Sequence, residues 1–331
     1  MPTPAFVEPV YSRGIYPFLA SVFVSLGSGL PFSLSSLLLI LLPILWITWM
    51  VVSFRRWSIW RWLFVWLWRG VVAAVFLGLW FTLSWGTNYK RASVEAQLGL
   101  SDGATTEADL ERFSELLLAL IEQNVSAPRD EKRAMASLKT SLQNVVQDLT
   151  GVMPPLPETV KRLPGGSLIR FGNASGVMSP FTLEPHVDGA LPEVSFLAVG
   201  AHELAHVAGY AGEADADFIA ALAGLRADDA YARYAVSLRL FNQATAQLPA
   251  KKRSDFLEAL PPRARQDLED IYEPFRRYQM SATLRRLQQK SYDSYLKRAG
   301  VEEGIADYSR SIWLLLQAQK EGHLAEDVKE D

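Results

Sequence analysis

A run of 21 residues without a single charge, Leu34–Phe54, constrains the fold of this chain more than any other feature. A helix needs about 20 predominantly apolar residues to cross the hydrocarbon core of a bilayer. Soluble cores rarely contain an uncharged stretch of this length, so we expect a transmembrane helix. Pro43 lies inside it, and membrane helices tolerate an internal proline. A buried helix of a soluble protein is the alternative.

A second apolar stretch, residues 63–85, follows closely and predicts a helical hairpin over residues 34–86. Arg69 lies near its start, where the side chain can reach the polar interface. Tryptophans also cluster around the connection, as they do at membrane–water interfaces. They are Trp57, Trp60, Trp62, Trp66 and Trp68.

The first 33 residues are apolar but do not form an equally clear span. Ile15–Leu30 is short and rich in serine and glycine, and it has neither the basic start nor the cleavage site of a secretory signal. We expect an amphipathic or re-entrant segment that lies against the membrane, with a third span as the alternative.

Basic residues predict the orientation of the hairpin. The connection carries four of them and the opposite flanks carry three, and positive charges concentrate on the cytoplasmic side. They are Arg55, Arg56, Arg61 and Arg69 in the connection, and Arg13, Lys90 and Arg91 in the flanks. We therefore expect an integral membrane protein whose domain of residues 92–331 lies outside the cytoplasm. The formal net charge of −3 argues against nucleic acid as a partner.

The domain of residues 92–331 contains the pattern H-E-x-x-H from His202 to His206. Residues i and i+4 lie on the same face of a helix, so both imidazoles can reach one Zn²⁺ ion, at about 2.0–2.1 Å each. Glu203 lies about 100° round the helix from the first histidine. Its carboxylate cannot easily share the ion, but it can act as general base on a water bound there.

A catalytic zinc usually has three protein ligands and one open position. Glu213 follows His206 by seven residues, and in a straight helix it would lie about 10.5 Å further along the axis. Gly209 and Gly212 allow the helix to end and the chain to reverse, which brings Glu213 back to the metal. Asp217, one turn later, is placed to accept the free ring N–H of a ligand histidine.

An H-E-x-x-H pattern can also occur by chance on a solvated helix. Here the preceding run, Val194–Ala201, is almost wholly apolar, which predicts that the helix is buried. Two buried histidines and a glutamate without partners would cost several kcal/mol. A metal site removes that cost.

Glu213–Asp217 reads E-x-x-A-D, which resembles the second motif of the gluzincin metallopeptidases, as in the membrane-bound CAAX-prenyl-endopeptidase type. In that family the glutamate is the third zinc ligand and the aspartate supports a histidine. The resemblance implies a zincin-like fold and a zinc cofactor. It does not imply a substrate.

The wider sequence is similar to a bacterial family of membrane-anchored proteins of unknown function with an H-E-x-x-H signature. The similarity implies a bacterial plasma membrane as the location. Tyr308 matches a tyrosine of that family and is a candidate oxyanion donor, with packing in the core as the alternative. The other matching stretches are Tyr11–Pro17, Pro31–Ser33, Trp85–Tyr89, Ser179–Glu184 and Tyr295–Gly300.

Ser167–Phe171 and Val177–Leu183 are predicted to form a β-hairpin ahead of the metal helix, because a glycine-rich turn separates them. In zincins, extended substrate adds to an exposed strand at this place. Phe181, Thr182 and Glu184 are the candidate residues of that cleft. For Glu184, a role in positioning a strand and a surface salt bridge are alternatives. His186 is predicted to be an ordinary exposed histidine.

The sequence thus predicts a mostly α protein with a small β-hairpin or sheet, in which a transmembrane hairpin precedes a zincin-like domain. The expected function is hydrolysis of peptide bonds in a peptide or protein substrate by a metal-activated water. Two alternatives stay open. One is a catalytically silent membrane protein with a structural or vestigial metal site. The other is a zinc hydrolase that acts on a non-protein amide or ester.

Overall fold

The computed structural model describes residues 3–101, 103–278 and 307–324, together with residues 283, 286, 287 and 290. These residues are mostly helical and include one three-stranded sheet, so the predicted fold class is confirmed at that level. The matching stretch of residues 295–300 lies outside the described residues. Tyr308 lies in the last helix of the described residues, but its side chain is outside the described part.

The helices before the sheet are α1 (Pro4–Val7), a π-helical segment (Glu8–Ile15), α2 (Tyr16–Ser28), α3 (Leu34–Phe54), α4 (Ile59–Ser84), a 3₁₀ turn (Gly86–Lys90), α5 (Val94–Leu98), α6 (Glu107–Asn124) and α7 (Glu131–Thr150). The sheet region contains β1 (Lys161–Leu163), α8 (Ser167–Gly172), β2 (Gly176–Met178) and β3 (Pro185–Asp188). After it come α9 (Glu193–Val207), α10 (Glu213–Leu225), α11 (Ala230–Thr245), α12 (Ala250–Ala259), α13 (Pro262–Arg277) and α14 (Asp307–Lys320).

Helices α3 and α4 are both long and apolar enough to cross a membrane, with mean hydropathies of 2.5 and 1.8. Helix α3 has the predicted bounds, whereas α4 begins at Ile59 and so includes four residues assigned above to the connection. The two helices pack through Trp66, whose ring lies edge-on against those of Trp46 and Trp49. Most of their apolar side chains are exposed, as in Leu39 at 77%.

Helix α2 lies across the surface of the sheet-bearing domain, because both of its ends bond to that domain. At one end the Tyr16 hydroxyl donates to the Val207 carbonyl at 2.7 Å. At the other end Lys161 Nζ donates to the Gly27 carbonyl at 3.1 Å. Apolar side chains face outward between them, including Phe18, which is 70% exposed. The amphipathic or re-entrant character of this segment and its place at a membrane stay predictions.

The sheet has the order β1-β3-β2, with β1 parallel and β2 antiparallel to the central strand β3. The predicted strand at Ser167–Phe171 is wrong, because these residues form α8. The buried carboxylate of Asp188 accepts the backbone N–H groups of Gly166, Leu168 and Ile169, which stabilises the start of this helix. Of the predicted strand Val177–Leu183, only the first two residues belong to β2.

The core of the domain surrounds α9, whose residues 194–207 are all buried. Helix α10 packs against α9, α7 and α14, and α11 packs against α6 and α9. Strands β2 and β3 cover another side of α9. The helix that carries the H-E-x-x-H pattern is therefore the central element of the domain. Its polar side chains are buried, so they contact other buried residues.

Candidate metal centre

Helix α9 ends in a turn that orients one of the two motif histidines. Gly209 has a φ of +90°, and the Tyr210 N–H donates to the Ala205 carbonyl at 3.1 Å, which is the Schellman pattern of a helix C-terminus. The turn brings the Tyr210 carbonyl to 2.7 Å from His206 Nδ1. Since a carbonyl only accepts hydrogen bonds, Nδ1 carries the proton and donates it. Nε2 of a neutral His206 ring is then free to bind a metal.

Asp217 on α10 orients the ring of His202 in the same way. Its Oδ1 atom lies 2.7 Å from His202 Nδ1. Arg239 on α11 donates to the same oxygen at 2.8 Å. The carboxylate therefore keeps its charge and holds the proton on Nδ1, so that Nε2 of His202 also faces the centre of the site.

Glu213, the first residue of α10, completes the cluster. Its Oε2 atom lies 3.1 Å from His202 Nε2 and 3.6 Å from His206 Nε2. One potential ligand atom from each residue lies within 4.8 Å of the other two, and all three side chains are buried. His202, His206 and Glu213 therefore form a group that could hold a metal ion.

The charges in this cluster shift the pKa values of its members. Burial lowers the pKa of His202, but Asp217 and Glu213 outweigh it and raise the pKa to about 10. Burial raises the pKa of Glu213, and the two histidines reverse this and hold it well below its usual value.

Glu203 lies beside the cluster and against the sheet. It is 4% exposed, and burial raises the pKa of its carboxyl group. A Cβ atom added to Gly176 on β2 would lie only 2.5 Å from Glu203 Oε1, so glycine at this position makes room for the carboxylate. A carboxylate with a raised pKa is a stronger proton acceptor than an exposed one.

The N-terminal segments contact the end of α9 directly, which the sequence did not indicate. Trp85 Nε1 donates to the His206 carbonyl at 3.0 Å, and Arg91 Nη1 donates to the Ala208 carbonyl at 3.3 Å. Together with Tyr16, they satisfy three carbonyls at the C-terminus of the helix. Tyr16 and Trp85 lie in stretches that are similar to the bacterial family described above. Nothing in the neighbouring sequence predicts which carbonyls they contact.

The structure places the predicted cleft residues in different environments. Phe181 is 40% exposed, whereas Thr182 is buried and its hydroxyl donates to Glu184 Oε2 at 3.1 Å. Glu184 is also buried. It pairs with Lys161 and accepts the backbone N–H groups of Leu34 and Ser35, at 3.0 and 2.7 Å. Its predicted role in the cleft is therefore wrong, because its oxygens face the start of α3.

The prediction of an exposed His186 is also wrong. This side chain is 2% exposed, and its Nε2 atom lies 2.8 Å from Ser33 Oγ and 3.2 Å from Ser35 Oγ. Burial lowers the pKa of its ring. His186 and Glu184 therefore connect the sheet to α3 and do not belong to the metal centre.

The fold and the site define a mostly helical protein with two apolar helices and a buried histidine–glutamate cluster that could hold a metal ion. Residues 11–316 match the family described as protein of unknown function (DUF3810), and the chain belongs to that family. No curated protein and no solved structure matches the chain.

Proposed function

We propose that this protein is a membrane-anchored, zinc-dependent metallopeptidase whose ligands are His202, His206 and Glu213. The observation that carries the proposal is the convergence of two Nε2 atoms and one carboxylate oxygen in a buried site. Two nitrogen ligands and one oxygen ligand, with a fourth position left for water, are typical of catalytic zinc in peptidases.

The distances within the cluster support zinc. Two ligand atoms each about 2.1 Å from an ion, at a tetrahedral angle, lie about 3.4 Å apart. The two distances from Glu213 Oε2, 3.1 and 3.6 Å, lie on either side of this value. The partners of the ring Nδ1 atoms, Asp217 and the Tyr210 carbonyl, are of the kind that support zinc-bound histidines.

Zinc held by these three residues would polarise the scissile carbonyl and acidify a water molecule. Glu203 accepts a proton from the attacking water and delivers it to the leaving nitrogen. Its burial serves both steps, because a raised pKa brings the carboxyl group closer to the pH at which it works. A glutamine at position 203 can do neither, although it has nearly the same shape.

The order of the elements supports a gluzincin arrangement. A small sheet precedes the helix with H-E-x-x-H, and the glutamate ligand lies on the next helix, just after a glycine-containing turn. The E-x-x-A-D stretch places Asp217 one turn beyond Glu213, where it contacts His202. We propose that α3 and α4 anchor this domain in a bacterial plasma membrane. Four arginines lie in the connection and the first half of α4, against three basic residues in the opposite flanks, and this small excess favours a domain outside the cytoplasm.

A catalytically silent protein with a structural zinc site is the main competitor. Structural zinc sites are usually closed by four protein ligands. Among the described residues, the cluster at this site contains only three potential ligands from histidine, cysteine, aspartate or glutamate. A fourth coordination position therefore stays available for water or substrate, which favours hydrolysis.

Metal analysis and two substitutions test the proposal. The purified full-length protein should contain zinc in a one-to-one ratio, and His206→Ala should lose it. Glu203→Gln should keep the zinc but lose turnover of a mixed peptide pool. Turnover retained by Glu203→Gln contradicts the assigned role of this residue. Stoichiometric zinc without any hydrolysis, in wild type as in the variant, favours the silent alternative.

A further inference from the structure

The metal cluster lies next to the end of a helix that we propose to cross the membrane. Trp85 directly follows α4, and besides its bond to the His206 carbonyl, its ring lies edge-on to the His206 ring at 6.1 Å. The Tyr11 hydroxyl donates to the Leu83 carbonyl, near the end of α4, at 2.8 Å. One aromatic side chain thus separates a metal-ligand candidate from the end of α4.

The loop between β2 and β3 is attached to the same end of α4. Ser84 Oγ donates to the Pro180 carbonyl at 3.1 Å, and the ring of Phe181 lies 6.5 Å from that of Phe81. Phe181 and Val177 are 40% and 42% exposed. The apolar surface of α4 therefore continues onto this loop and along β2.

Strand β2 leads from this apolar contact to the proposed general base. It is an edge strand in the described part of the sheet, and Gly176 lies directly beside Glu203. Phe181 is five residues further along the chain. Extended backbone advances about 3.3 Å per residue, so the backbone positions of Phe181 and Gly176 are at most about 17 Å apart.

From this arrangement we infer the substrate class: the site cleaves the membrane-proximal stretch of a membrane-anchored polypeptide. The inference rests on the proposed hydrolytic function. The substrate's anchor would lie in the bilayer beside α4, and the residues after it would pair with the edge of β2. Since Phe181 and Gly176 are separated by at most the length of about five extended residues, we expect the cut within about five residues of the anchor.

Three peptide pools test the inference with the zinc-loaded full-length protein in phosphatidylcholine–phosphatidylglycerol vesicles. The first pool joins a randomised segment directly to a polyleucine anchor of about 20 residues. The second places a Gly/Ser spacer of about ten residues between the same anchor and the same segment. The third is the randomised segment without an anchor. Mass spectrometry locates each cut.

We expect cleavage of the randomised segment in the first pool, with the cuts concentrated within about five residues of the anchor. Both other pools should be cleaved at least about tenfold more slowly in that segment. The spacer pool is the matched control, because its peptides carry the same anchor and reach the same concentration at the membrane as those of the first pool. If the first and second pools, or the first and third pools, are cleaved equally, the inference is overturned. The peptidase proposal then still stands. Cleavage of no pool contradicts both.

A second measurement does not depend on turnover. The chain contains no cysteine, so Phe181→Cys gives a single labelling site for an environment-sensitive fluorophore. Nitroxide groups on lipid headgroups should quench this label strongly. They should have little effect on a label at Ser254→Cys, an exposed position on α12, which packs against α11. Equal quenching at the two sites contradicts a place for Phe181 at the bilayer surface.

Discussion

His202 Nδ1 lies 2.7 Å from Asp217 Oδ1, while Nε2 of the same ring lies 3.1 Å from Glu213 Oε2. Both carboxylates belong to α10, one turn apart, so a single helix fixes the position of this ring from both of its nitrogen atoms. The consequence is electrostatic as well as geometric. The Asp217 charge makes the ring more basic, and a more basic imidazole is a stronger metal ligand.

Asp217→Asn keeps a hydrogen-bond acceptor beside His202 but removes the charge. We expect zinc affinity to fall by about 10- to 100-fold, the usual effect of losing such a partner. Asp215→Asn is the matched control, because Asp215 lies on the same helix and accepts the Val94 N–H instead. Competition with a chromophoric chelator measures both affinities. Equal affinities in the two variants would show that the Asp217 charge does not act on the site.

Gly176→Ala tests the contact between β2 and the proposed base. The added Cβ atom would lie 2.5 Å from Glu203 Oε1 and 2.7 Å from Val199 Cγ1, so Glu203 has to move. We expect full zinc content and about 100-fold slower hydrolysis, since a misplacement of about 1 Å can cost this much. Gly29→Ala, where an added Cβ meets no atom within 4 Å, should hydrolyse at the wild-type rate. Loss of zinc from Gly176→Ala would contradict our inference that Gly176 affects only the position of Glu203.

The parts of the fold that follow from local signals could be predicted from the sequence. The charge-free run at Leu34–Phe54 fixes one long apolar helix. The glycine with a φ of +90° ends α9 close to where the pattern predicted, and α10 begins at Glu213. The H-E-x-x-H spacing places two side chains on one face of a helix, so their proximity required no long-range information.

The errors concern residues whose conformation depends on distant partners. Glu184 and His186 contact residues 33–35, about 150 positions earlier in the chain, and nothing near them in the sequence indicates this. The sequence predicts a strand at Ser167–Phe171 because a glycine-containing turn follows it, but three N–H groups at the start of α8 bond to Asp188. In each case a buried charge or ring meets a tertiary partner that overrides the local pattern.

Tyr16→Phe tests how far α2 stabilises the metal helix. The change removes the bond to the Val207 carbonyl, which would be left in a buried place without this donor. We expect the free energy of unfolding to fall by about 1–3 kcal/mol. Tyr272→Phe removes an exposed hydroxyl that bonds to Asn242, and we expect a change of less than about 0.5 kcal/mol. Chemical unfolding in detergent micelles measures both, and equal effects would contradict the assigned role of Tyr16.

Glu184→Gln should destabilise the protein in a way that depends on pH. Burial raises the pKa of Glu184, but Lys161 and the N–H groups of Ser35 and Leu34 outweigh it and leave the pKa lowered. A carboxyl group whose pKa is lower in the folded state contributes its full stabilisation above the unfolded pKa, which is about 4.3. The contribution is lost as pH falls through the folded pKa. Wild type and variant should therefore differ most near neutral pH.

We expect a difference in unfolding free energy of about 3 kcal/mol at neutral pH, because the change leaves the largely covered Lys161 without its anionic partner. The difference should shrink as pH falls below about 4. Glu158→Gln is the control. Glu158 pairs with Lys139 but its side chain is 77% exposed, so its loss should cost at most about 1 kcal/mol. Chemical unfolding at several pH values measures this difference. If the loss of unfolding free energy in Glu184→Gln does not change with pH, the charge of Glu184 is not the source of the stabilisation.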